Sequence, residues 1–137
     1  MNIIDAYKAF WLNYVNFNGR ASRSEYWWPT AINMIISSIF NAMYFTSLMV
    51  YLNEATVTGN TLSATLPTMP ILGVIFGLAV VLPSLSLLIR RLHDTNKSGW
   101  LVLLAFIPFI GAIIIFVFTV LAGDQGDNPY GSNPLKG

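Results

Sequence analysis

The chain is 137 residues long, 55% hydrophobic and 9% charged, with seven basic and six acidic side chains and a net charge of +1. Thirteen charges cannot cover the surface of a soluble domain this small, so the composition points to a single membrane domain. The charge balance supplies no basic stripe for nucleic acid. Zero cysteines and one histidine exclude disulfides, a thiol nucleophile, a cysteine-ligated metal and a multi-histidine site within one chain.

The first element is amphipathic. On a helix over 3–17, Ile3, Ile4, Tyr7, Phe10, Trp11, Tyr14 and Val15 share one face, and Asn2, Asp5, Lys8, Asn13 and Asn16 lie opposite. Its aromatic content predicts a helix lying in the headgroup region, stopped by Asn18 and Gly19. In "GRASRSEYWWP", Ser22 and Glu25 have the spacing of a capping box, and Trp27 and Trp28 mark a water interface. A first span is predicted over about 29–51. Asn33, Ser37 and Asn41 recur on one of its faces, which should meet another helix because amides facing lipid lack partners.

Residues 52–68 are rich in Thr, Ser and Asn without Lys or Arg, and are predicted to form a loop on the translocated side. A second span over about 69–89 carries Gly73 and Gly77, a small-xxx-small spacing for close helix approach, and Pro83, which should kink it. Arg90 and Arg91 end it, since each costs roughly 2.5–3.5 kcal/mol at the centre of a spanning helix. Asp94, Asn96, Ser98 and Gly99 then form a tight return, with Trp100 at the interface. The apolar run 100–121 reads as a third span, with a re-entrant hairpin turning at Pro108 to Gly111 as the alternative. The tail 123–137 is turn-rich. The predicted fold is therefore an all-α membrane domain over 1–122, an interfacial helix followed by three transmembrane helices.

Lys8, Arg20 and Arg23 precede the first span and Arg90, Arg91 and Lys97 follow the second, so both segments are expected on the cytoplasmic side, with the N-terminus. Three full spans would put the tail outside.

The aromatic N-terminal helix, "FNGRASRSEYWW", "RRLHDTNKSGW", "IPFIG" and "GDNPYG", in this order, resemble the bacterial family called domain of unknown function 805. The resemblance covers nearly the whole chain. It implies a polytopic inner-membrane protein with no established reaction, cofactor or substrate, and signature positions Gly19, Arg20, Arg23, Glu25, Arg90, Arg91, His93, Asp94, Gly99 and Trp100.

Chemistry concentrates in the polar motifs. His93 beside Asp94 lacks the geometry of a base and its orienting acid, because adjacent side chains seldom face each other, and no nucleophile or phosphate motif accompanies them. No catalytic residue, metal site or cofactor is expected. Arg20, Arg23, Arg90, Arg91, His93 and Lys97 are candidates for binding anionic lipid headgroups or a charged ligand. Gly19, Ser22, Glu25, Asp94, Gly99 and Trp100 are expected to shape the motif. Glu25 is expected to pair with Arg90 or Arg91 and Asp94 to hold His93 or a loop amide, leaving the other arginine for headgroups. The expected function is a non-enzymatic lipid- or partner-binding membrane module, with a homo-oligomer or a membrane-protein partner, and a small oligomeric transporter or channel as the alternative.

Overall fold

A computed structural model of the chain describes residues 1–60 and 71–136. Four α-helices and one 3-10 helix carry the described residues: α1 (Ile3–Leu12), α2 (Arg23–Thr58), α3 (Ile71–Asp94), the 3-10 helix Gly99–Phe106 and α4 (Ile110–Val120). Among the described residues there is no strand, only an isolated bridge between Asn128 and Gly131.

The amphipathic N-terminus forms α1, but the helix stops at Leu12, five residues short of the expected 17. Asn2 caps its start, accepting from the Asp5 N–H at 2.8 Å. At the other end the Asn13 side chain takes the Ala9 carbonyl at 2.9 Å, and Asn16 bonds Asn13 in turn. These local amide bonds compete with continuation of the helix. Gly19, at φ +85°, lies in the linker beyond, not at the helix end.

The first predicted span begins six residues early and ends seven late: α2 runs 36 residues from Arg23 to Thr58, about 54 Å at 1.5 Å per residue. The loop expected over 52–68 therefore starts inside α2, and its residues 61–68 lie outside the described residues, as do Met69 and Pro70. Helix α3 continues through Pro83 and past Arg90 and Arg91 to Asp94. It closes on a left-handed Asn96 (φ 55°), with the Lys97 N–H on the Leu92 carbonyl and the Asn96 N–H on the His93 carbonyl, a Schellman ending. Helices α2 and α3 are long and apolar enough to cross a membrane.

The run 100–121 is not the continuous span expected of it. It divides into the 3-10 helix and α4, which has 11 residues, about 16 Å against a hydrocarbon core of about 30 Å. Between them Phe109 adopts φ 63° and ψ −62°, and the Ile110 N–H reaches back to the Pro108 carbonyl at 2.8 Å. This is a γ-turn of the strained, positive-φ kind. Gly111 follows, and a Cβ there would collide with the Leu104 carbonyl. The two short helices are thus folded against each other backbone to backbone, which only glycine permits.

The chain divides into two units, Met1–Ala31 with Val81–Gly137, and Ile32–Val80. The first has an inverted interior: its buried side chains are mostly polar or charged, including Arg20, Glu25, Arg90, Arg91 and Asp94, beside Ala6, Phe10, Ala21, Leu87 and Leu92. Large apolar side chains such as Ile4, Leu12, Phe106, Phe109 and Ile113 are exposed. Water would penalise that arrangement and lipid would not. In the second unit Phe40 and Phe76 lie 6.1 Å apart, and a Cβ on Gly73 would meet the Phe40 side chain at 2.9 Å, so this glycine admits the facing ring.

Candidate functional site

The two polar motifs, some seventy residues apart in sequence, meet in the first unit. Their junction is made by the start of α2, the end of α3 and the tail. Ser22 caps α2, accepting from the Glu25 N–H at 3.2 Å, which is half of a capping box. The Glu25 carboxylate completes no box. It accepts instead from Arg90 Nη1 at 2.6 Å, the pairing expected from the sequence, with both side chains buried. Arg90 Nε and Nη2 are buried with no partner among the described residues.

Asp94 is the hub. Its Oδ1 accepts from Arg20 Nε at 3.0 Å and its Oδ2 from Arg91 Nη1. This corrects the expectation that Asp94 would hold His93 or a loop amide. One carboxylate between two guanidinium groups, all three nearly free of solvent, satisfies charges that could not otherwise be buried.

The second correction concerns Arg91. Its side chain is fully buried and does not face headgroups. It donates to the Ala21 carbonyl at 3.0 Å, the Thr119 carbonyl at 3.0 Å and the Leu121 carbonyl. The last two belong to the end of α4, whose final carbonyls have no partner inside the helix. A cation there also meets the negative end of the helix dipole. Arg20 does the same for the tail, donating to the carbonyls of Asp124 (2.6 Å) and Gly126 (2.7 Å). The two arginines therefore act as connectors that collect carbonyls from separate segments, a role suited to the five donors of a guanidinium.

His93 is placed by its surroundings. Its Nδ1 lies 3.1 Å from the Gly19 carbonyl, and its ring stacks on Tyr130 with centroids 3.9 Å apart. Asn128 donates to the His93 carbonyl at 2.9 Å. Gly99 packs closely on α3, since a Cβ there would meet Ile89 at 2.8 Å and His93 Nε2 at 3.3 Å. Gly123 likewise leaves room for the Asp94 carboxylate. Trp27 donates to the Thr119 carbonyl at 3.4 Å and stacks edge-on with Phe116, whereas Trp28 and Trp100 are exposed.

Two candidate ligand-binding cations stay outside this network. Lys97 sits over the Phe118 ring, 5.8 Å from its centroid. Arg23 is exposed at the first turn of α2, makes no hydrogen bond or ion pair among the described residues, and lines a cleft of about 300 Å³ with Ser22, Asp124, Gln125 and Asn133. Asn33, Ser37, Asn41, Gly73 and Gly77 belong to the second unit and not to this site. Among the described residues no three His, Asp or Glu side chains are grouped to hold a metal ion.

The residues that sequence reasoning missed are those of the tail and of α4: Thr119, Asp124, Asn128 and Tyr130. The "GDNPYG" motif was the available signal for two of them, Asn128 and Tyr130. The model of the family described as "Protein of unknown function (DUF805)" matches residues 14–132. The chain belongs to this family. Inner membrane protein YhaI of Escherichia coli (strain K12) is 42% identical over 125 residues, 91% of this chain and 91% of that protein. Inner membrane protein YhaH of the same strain is 38% identical over 131 residues, 96% of this chain and 97% of that one. No solved structure matches. The matched segment of the family runs from Tyr14 through Ser132, so it contains the arginine knot together with the tail residues Asp124, Gly126, Asn128 and Tyr130 that attach to it. The protein is a helical membrane protein of this uncharacterised family.

Proposed function

We propose that the protein is a non-enzymatic module of the inner membrane that binds anionic lipid headgroups at its cytoplasmic face. Helices α2 and α3 cross the bilayer. The 3-10 helix and α4 form a re-entrant hairpin, so the N-terminus, the α3 end and the tail share the cytoplasmic side. The support is twofold: the basic residues gather at these segments, and Arg20, Arg91 and Asp94 bond all three to one another.

One observation carries the binding reading. Arg20, Arg90 and Arg91 are committed to internal carboxylates and carbonyls, whereas Arg23 lines a cleft and its guanidinium has no partner among the described residues. A guanidinium at the water–lipid boundary suits a phosphate, which it can grip through two parallel hydrogen bonds. The knot then serves to hold that cation in place.

Native mass spectrometry from mixed phosphatidylglycerol and phosphatidylcholine membranes tests this. The wild type should retain phosphatidylglycerol, and Arg23→Gln should lose that preference several-fold with an unchanged melting temperature. Equal retention by both proteins would contradict the assignment.

A further inference from the structure

The second unit leaves a groove of about 200 Å³ between α2 and α3. Ser37, Asn41 and Tyr44 line it from α2, and their spacing of four and three residues puts them on one helix face. Among the described residues the hydroxyls of Ser37 and Tyr44 make no hydrogen bond. Asn41 uses only its amide N–H, on the Ser37 carbonyl at 2.8 Å, and its Oδ1 is left open. All three lie within the apolar stretch of a helix long enough to span a bilayer. Hydrocarbon has no donor or acceptor to offer them, and open polar groups are costly there.

The facing wall, on α3, carries Gly73 and Gly77 beside Phe76. Gly77 of α3 lines the same groove, and a Cβ built on it meets no atom within 4 Å. Gly73 differs, because its missing side chain is already used by Phe40. So Gly77 has no packing reason inside its own chain to be small, and it leaves space for something from outside.

We propose that the groove takes α2 of a second copy of this chain, with Ser37, Asn41 and Tyr44 of the two copies pairing across a two-fold axis along the membrane normal. The chemistry selects that occupant. Hydroxyl and primary amide groups each donate and accept, so a neutral stripe of them is complementary to itself when two copies meet in the same orientation. An acyl chain would leave all three open. Small residues and side-chain amides are also what bring membrane helices together.

The inference rests on α2 and α3 crossing the bilayer, and the test separates the two claims. The chain has no cysteine, so single cysteines report directly. In native membranes under mild oxidation, Ser37→Cys should give a disulfide-linked dimer, and Ile39→Cys, on the opposite face of α2, should not. Adding Gly77→Ile or Asn41→Leu to Ser37→Cys should abolish the dimer while the protein stays in the carbonate-washed membrane pellet. Loss of the wild type from that pellet would overturn the membrane reading and the groove with it. A retained protein with no Ser37→Cys dimer, with equal dimer at Ile39→Cys, or with Ser37→Cys linked to a different protein would overturn the groove alone.

Discussion

Arg20 and Asp94, 74 residues apart in sequence, are joined by a hydrogen-bonded ion pair of 3.0 Å, and each side chain is at least 95% buried. The same carboxylate also binds Arg91. Removing it would leave two guanidinium groups in an interior without a counter-charge. Asp94→Asn should therefore cost about 3–5 kcal/mol, the usual loss when one partner of a buried pair is removed. Equilibrium denaturation in detergent micelles measures it. A loss near that of an exposed pair, about 0–1 kcal/mol, would mean that the two arginines find other partners.

The Glu25 and Arg90 pair behaves differently when both members are replaced. Arg90 already carries two buried donors without partners, so its burial is costly even with Glu25 present. Glu25→Met should strand the guanidinium and destabilise strongly, whereas Glu25→Met with Arg90→Met should recover most of that loss, because apolar side chains of similar size fill a buried pair's place at little cost. The double-mutant cycle is read from the same denaturation curves. Additive losses would show that the two residues are not coupled.

The hairpin gives a prediction about two glycines. Gly111→Ala sets a methyl group against the Leu104 carbonyl, which is backbone and cannot rotate away, while Gly77→Ala meets nothing in its own chain. Overpacking of this kind costs roughly 1–3 kcal/mol. Thermal melts of monomeric protein in detergent should show a lower midpoint for Gly111→Ala and little change for Gly77→Ala. Equal melting temperatures would mean that the hairpin is not closely packed.

Much of this was legible in the residues, and the omissions have physical causes. The α1 face, the Ser22 cap and the Glu25 pair follow from spacing and charge, which act locally or between few candidates. The commitment of Arg91 to α4 was not legible, because backbone carbonyls carry no sequence signature. The same holds for the tail: Asn128 and Tyr130 attach to His93 through single contacts with no periodicity. The run 100–121 has enough apolar residues for one crossing or for a hairpin, and hydropathy cannot separate them. Only Pro108 and Gly111 marked the turn. Its strained residue, Phe109, is one that no turn rule selects.

The claim on which the account turns is that the N-terminal motif and the tail share the cytoplasmic side, held together by Arg20, Arg91 and Asp94. Accessibility of single cysteines to a membrane-impermeant maleimide tests it most directly, compared between spheroplasts and inverted vesicles. Asn18→Cys and Ser132→Cys should both label in inverted vesicles and stay unlabelled in spheroplasts, with Thr58→Cys showing the reverse. Labelling of Ser132→Cys in spheroplasts, with Asn18→Cys protected there, would place the tail across the membrane and contradict the account.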